Sequence, residues 1–486
     1  MNYTIIRHTC IYFILILIVG CDKQIASYTE NNKVANIYPE YTGTYIPHNI
    51  APINFQIKEV ADEFKVRFVS QTDSFEVSAK SNVDIPIKKW KKLLEENKGQ
   101  TISVKIFAYT DNNWTKYNNI DFTIANEPID PYIAYRLIEP GYAAWNKMGL
   151  YQRCVENFEE SPIIENDLTD GNCMNCHSFK NNDPEVMLFH MRSAHAGTMF
   201  AVDGEVKRVN TKAPWMMSAG VYPRWHPNGR YVAFSTNNTS QSFLTAHTNK
   251  IEVFDMNSDI VIYDTKENKV YTDSLIMAKN SFETFPEWSP NGRYMYFSSA
   301  PATQMPNNYK KIQYDILRVP FDPETGKFGA KVDTLVSAQE TGKSSVLGRV
   351  SPDGKYMVFC MANYGTFPIW HRENDLHLLN LETGDISNLT DVNSDDSDSY
   401  HSWSSNGRWL VFSSRRIGGT YTRVFISYFD ESGKGHTPIL LPQKDPMYYD
   451  YFMKSYNIPE CIKGKVKVTP YQLSDAARED AVVPAS

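Results

Sequence analysis

Tyr222-Pro-Arg-Trp-His-Pro-Asn-Gly-Arg-Tyr-Val-Ala-Phe-Ser235 is the stretch from which the fold can be read. It holds a short strand, an Asn-Gly turn and an apolar strand. Asn-Gly adopts the positive φ values of a tight turn at little cost. The same order returns as Phe285-Pro-Glu-Trp-Ser-Pro-Asn-Gly-Arg-Tyr-Met-Tyr-Phe-Ser298. It returns again as Gly348-Arg-Val-Ser-Pro-Asp-Gly-Lys-Tyr-Met-Val-Phe-Cys360 and His401-Ser-Trp-Ser-Ser-Asn-Gly-Arg-Trp-Leu-Val-Phe-Ser413. A third strand opens on Asp in three units, at Asp259, Asp315 and Asp375. A fourth is visible at Lys269-Val-Tyr-Thr-Asp and Lys331-Val-Asp-Thr-Leu. Four strands per repeat is the blade of a β-propeller.

The repeats resemble the TolB-type propeller repeat, whose signature is a strand, S-P-D-G-K/R and an F-S-S-like end. The resemblance covers roughly residues 176 to 445 and implies a propeller of five to six blades. Wide spacing between copies places long loops at 237–250 and 300–311, where function tends to sit on a rigid scaffold.

Working outward, Asn172-Cys-Met-Asn-Cys-His-Ser178 contains C-x-x-C-H. This spacing lets two thiols bind one porphyrin edge while the next histidine supplies an imidazole to iron. It therefore predicts one covalent haem c on Cys173, Cys176 and His177, with His177 the proximal ligand. The motif aligns with the start of a degenerate first blade, since Cys176-His-Ser precedes Asn182 as Trp225-His-Pro precedes Asn228-Gly. His195 and His190 are the candidate distal ligands. Met187, Met191 and Met199 are nearby alternatives that also suit strand core.

The chain has 486 residues, a formal charge of −7, and 30 Tyr, 25 Phe and 9 Trp. Abundant aromatics favour β structure. No basic footprint for nucleic acid is present. Arg7, the apolar run 11–19 and Ile18-Val-Gly-Cys21 resemble the bacterial lipoprotein signal. That resemblance implies cleavage after residue 20, lipid on Cys21, and a body held at a membrane facing the periplasm or the cell surface. Residues 21–49 read as a tether. Residues 50–126 alternate apolar and polar positions at period two and read as an immunoglobulin-like β-sandwich, interrupted by a helix near 87–97. Residues 127–170 read as a connector packed on the propeller, 171–445 as the haem-bearing propeller, and 446–486 as a C-terminal extension. A sixth blade is open to completion by residues 127–160 or by the chain beyond Pro446. Cys360 reads as a buried thiol, and the pairing of Cys154, Cys360 and Cys461 is open.

In a propeller the first strand of each blade lines the channel. Arg224, Glu287, Arg349 and His401 fall on such strands, with Arg415 and Arg416 near another strand end. These residues suit a polar funnel for an anionic group, or a hydrated channel with salt bridges. The acidic loop Asp391, Asp395, Asp396 and Asp398 lacks EF-hand spacing. The leading expectation is electron transfer by an envelope lipoprotein with a redox partner protein or a small-molecule electron donor or acceptor. The alternatives are a TolB-like binding or scaffold protein with structural or sensory haem, and a propeller haem oxidoreductase. The last is similar in arrangement to the large subunit of hydrazine synthase, a family that normally carries more haem than this single motif.

Overall fold

A computed structural model of the chain describes residues 24–139, 147–244, 249 and 251–486. The signal segment, Cys21, and Pro140 to Trp145 of the connector lie outside them. The fold is mainly β and of propeller type. Six consecutive antiparallel sheets of four or five strands fill residues 132–462. Their inner strands are Cys173–Phe179, Val221–Trp225, Ser281–Trp288, Ser344–Val350, Asp398–Trp403 and Ser455–Ile462. Each inner strand packs on the next, and the last packs on the first, so the sheets close into a ring.

The closing sheet is built from both ends of this region. Its inner strand, Ser455–Ile462, pairs with Tyr132–Ile138, which continues to Met148–Cys154 and Glu160–Glu165. Both segments proposed for a sixth blade therefore enter one sheet. Tyr132–Ile138, Met148–Cys154 and Glu160–Glu165, expected as connector, are strands of the ring, and the C-terminal extension supplies an inner strand.

Apolar strand faces fill the gaps between sheets. Leu188 and Phe200 meet Trp225 and Phe234, while Ile260 and Ile262 meet Trp288 and Phe297. Burying such side chains contributes about 1.5–3 kcal/mol each. Tryptophans also tie neighbouring inner strands, with Trp288 Nε1 donating to Arg224 O at 3.1 Å and Trp403 Nε1 to Arg349 O at 3.1 Å. Gly229, Gly292, Gly354 and Gly407 all have positive φ at the repeated turn. At Gly292 a Cβ would also sit 2.4 Å from His226 Nε2, so no other residue fits there.

Residues 237–243 of the loop expected at 237–250 instead belong to a hairpin. Tyr231–Phe243 and Ile251–Asp264 run far beyond the sheet, with residues 245–248 and 250 outside the described set. The hairpin is pinned to loops of the next two sheets. Phe254 stacks on Tyr309, and Glu252 accepts a hydrogen bond from Tyr364 at 2.8 Å and contacts His371 Nε2 at 3.2 Å.

Before the ring, a seven-stranded and a three-stranded sheet share one core with helix Ile87–Glu96. The helix buries Trp90, Leu93 and Leu94, an i, i+3, i+4 face. Tyr28–Val34 and Tyr45–Ile46 pair into the larger sheet, so much of the expected tether belongs to this domain. No described helix is long and apolar enough to cross a membrane.

Candidate functional site

All six inner strands share one irregularity. Cys176, Tyr222, Phe285, Leu347, Tyr400 and Ile458 have φ between 47° and 58°. At each of these residues the pairing register slips. A non-glycine residue in this region costs about 1–2 kcal/mol, so six matching bulges are a property of the repeat and not a local accident. An extra residue in a strand reverses which face the following side chains take.

Two residues after each bulge stand Ser178, Arg224, Glu287, Arg349, Ser402 and Glu460. All six line one cavity of about 300 Å³ at the channel mouth, together with Lys463 and the turn prolines Pro227, Pro290 and Pro352. The bulge residues lie below them. Cys176, Tyr222, Leu347, Tyr400 and Ile458 close the channel around a residual space of about 20 Å³. The mouth is a blind funnel with a polar floor.

Arg224 Nε lies 3.1 Å and Arg349 Nη1 3.2 Å from the same atom, Glu287 Oε2. These are ion-pair distances, but the N–H vectors are not aligned, and Arg224 Nε, Arg349 Nε and Glu287 Oε2 all lack a hydrogen-bond partner. Glu460 Oε1 accepts from Phe179 N at 3.1 Å, while its buried Oε2 has no partner. Trp225 Nε1, unlike those of Trp288 and Trp403, is also unpaired. Burial, then the charge of Arg224, holds the Arg349 guanidinium below its usual range, at about 9, so it stays charged at neutral pH. Burial pushes the Glu460 carboxyl up to about 7 against the pull of Arg224, the Phe179 N–H and Arg349. The floor therefore keeps an excess of unspent donors, which suits an anionic group.

Arg224, Glu287 and Arg349 were legible as channel residues. His401 was misplaced by one position. It sits between sheets, with Nε2 2.8 Å from Val358 O, and Ser402 takes the mouth position. Arg415 and Arg416 are elsewhere, stacked on Trp370 and paired with Asp398 respectively. Ser178, Glu460 and Lys463 were missed. A signal for Glu460 existed, since Ile458-Pro-Glu repeats the pattern of Phe285-Pro-Glu.

The C-x-x-C-H segment does not fit a haem. Cys173–Phe179 is an inner strand in which both thiols are buried. Cys173 packs into the core with Met174, Met187, Met191 and Met199, whereas Cys176 faces the channel plug. The two sulfurs thus serve different layers, while porphyrin attachment needs them on one edge. The space beside Cys176 and His177 is about 20 Å³, room for about one water molecule and far short of a porphyrin. Burial raises the Cys176 thiol and lowers the His177 imidazole to about 3. Among the described residues no group of three or more His, Cys, Asp or Glu could hold a metal ion. The expectation of a metal-binding c-type cytochrome is corrected accordingly.

The distal candidates fare no better. His190 is buried in its sheet with Nδ1 3.4 Å from Thr198 Oγ1, and burial lowers it to about 3. His195 pairs with Asp170 at 2.7 Å at the sheet's end. Cys154, Cys360 and Cys461 are buried free thiols.

No family model and no curated protein matches the chain. Among solved structures it is similar to an oligogalacturonate lyase in complex with manganese. The identity is 13%, the match covers 59% of this chain and 55% of that one, and the TM-score is 0.23. It is similar to prolyl oligopeptidase B from Galerina marginata at 10% identity, 70% and 42% coverage and TM-score 0.36. It is also similar to a GH43 endo-arabinanase from Bacillus licheniformis at 11% identity, 52% and 93% coverage and TM-score 0.30. The chain spans about half the length of the first of these and less than half of the second.

Proposed function

We propose that this chain is a binding protein of the cell envelope, in which a TolB-like, six-bladed propeller receives a small polar ligand at its channel mouth. Lipid on Cys21 anchors it to a membrane, and the immunoglobulin-like domain separates the propeller from the anchor. The observation that carries the reading is the ring Ser178, Arg224, Glu287, Arg349, Ser402 and Glu460 under a cavity of about 300 Å³. That volume is within the range of small-ligand sites. Several buried donors and acceptors on its floor have no partner, a cost that proteins seldom carry without use.

A ligand bound to the folded state raises Tm by mass action. A panel of small polar metabolites should contain compounds that raise the Tm of the lipidated protein. Arg349→Met should abolish that rise. A panel that never shifts Tm, or shifts it equally in the variant, overturns the reading. Fatty-acid labelling of wild type but not of Cys21→Ser tests the anchor.

A further inference from the structure

Resting on the mouth as the binding site, we propose that its ligand presents a terminal carboxylate, inserted end-on between Arg224 and Arg349. The shape comes first. The funnel is blind, because Tyr222, Tyr400, Leu347, Ile458 and Cys176 leave only about 20 Å³ below the ring. Only a group of a few heavy atoms reaches the floor, and the rest of the ligand stays in the wider vestibule.

The floor then selects the chemistry. Two guanidinia share one oxygen of Glu287, and neither spends its Nε in a hydrogen bond. Arg349 Nη1 does donate to Gly348 O at 2.7 Å, and Arg224 reaches Ser178 Oγ only at 3.5 Å. A carboxylate is planar, accepts only, and matches guanidinium forks in two-point fashion. An ammonium would face two positive charges. A phosphate dianion would bring a second charge beside the carboxyl groups of Glu287 and Glu460, with only Lys463 of the cavity lining left to meet it. Glu460 fits the monoanion because burial keeps its carboxyl partly protonated at neutral pH, leaving Oε2 free to pair with a ligand oxygen. A terminal carboxylate belongs equally to a peptide end and to a free organic acid.

The test is calorimetric titration of the whole lipidated protein at low salt with four probes and inorganic phosphate. The probes are glutarate, N-acetyl-dialanine, N-acetyl-dialanine amide and 1,5-diaminopentane. The two carboxylates should bind at least tenfold more tightly than the amide, the diamine or phosphate. Arg349→Met and Arg224→Met should each weaken carboxylate binding at least tenfold, and Arg349→Lys should weaken it less than Met. Preference for N-acetyl-dialanine over glutarate identifies a peptide end, and the reverse identifies a free acid. An amide as good as its acid, or phosphate as good as either, overturns the inference on wild-type protein alone, whatever the variants do to folding. If no carboxylate binds while another metabolite class raises Tm in wild type but not in Arg349→Met, the inference fails and the binding reading stands. If nothing binds, both fail.

Discussion

Two inner strands of this molecule carry the same His-Ser pair, followed by an aromatic residue, at the same place. Cys176-His-Ser-Phe179 and Tyr400-His-Ser-Trp403 each begin on a positive-φ bulge, follow it with a buried histidine, place a serine at the channel mouth and end on a buried aromatic. Only the first has cysteines at the spacing of a haem motif. The second shows that His-Ser after the bulge is a solution available to any sheet of this ring. Where they differ is in how the histidine is satisfied. His401 Nε2 reaches Val358 O, on the strand paired with Arg349 in the preceding sheet. The corresponding strand position for His177 is Ala134, paired with Glu460. His177 makes no hydrogen bond there, and although the Ile458 backbone lies close, both its ring nitrogens lack an aligned partner. The backbone plan is repeated exactly where the polar bookkeeping is not, so equivalent substitutions should have unequal costs.

The largest effect is expected at the aromatic position. Trp403 ties its strand to the preceding one through Nε1 and meets Phe429 edge-on at 4.8 Å. The Phe179 side chain has no N–H to give and meets the His177 ring at 6.0 Å. Trp403→Ala should cost about 3–5 kcal/mol and Phe179→Ala about 3 kcal/mol. Urea unfolding measures both, and an equal or reversed order would break the idea that the tryptophan staple adds to packing.

Next come the histidines. His401→Leu leaves Val358 O without its side-chain partner, at a cost of about 1–3 kcal/mol. His177→Leu removes two unpaired ring nitrogens from a buried site and should be neutral or stabilising by about 1 kcal/mol. Comparable losses in the two variants would show that His177 has a partner in solution.

This contrast also explains what the amino-acid sequence disclosed and what it hid. The strand, Asn-Gly turn and strand units were legible because turn chemistry and alternation are local. Arg224, Glu287 and Arg349 followed from them. The bulge was not legible, because no residue type marks it: Cys, Tyr, Phe, Leu and Ile all occupy it. One inserted residue shifted His401 off the channel and brought Ser402 onto it. Glu460 was hidden by chain closure, since its strand joins a sheet begun more than 300 residues earlier. Cys173-x-x-Cys-His177 misled for the same kind of reason. Motif spacing assumes an accessible turn, and tertiary pairing turned it into an inner strand.

A shared effect is expected from acid. Burial lowers His177 and His401 to about 3, assisted by Arg136 and Arg224 in one case and by Arg349 in the other. Unfolded, each titrates near 6.5. Between pH 6.5 and about 3 the unfolded chain therefore binds more protons than the folded one, so stability falls as pH falls through this window and is unaffected above it. Each imidazole contributes about 1.4 kcal/mol per pH unit in the steep part of that range. His177→Leu should flatten the acid limb by one proton while leaving stability at pH 8 unchanged or raised. His401→Leu should flatten it equally but from a lower starting value. Urea midpoints at pH 8, 6 and 5 separate these outcomes.

The smallest effect is expected where the motif reading placed the largest. If Cys173 and Cys176 are only packing residues, the double change to Ala trims two buried sulfurs from different layers and costs about 1–2 kcal/mol in total. Protein produced alongside a haem-attachment apparatus should show no Soret absorbance and no haem stain after denaturation, in wild type and variant alike. The comparison with Tyr400-His-Ser-Trp403 makes this demanding, because haem on Cys176 would require an inner strand of the ring to leave its place. A Soret band in wild type that disappears in the variant would therefore break more than the cofactor assignment. It would show that the first sheet, unlike the other five, can open its inner strand.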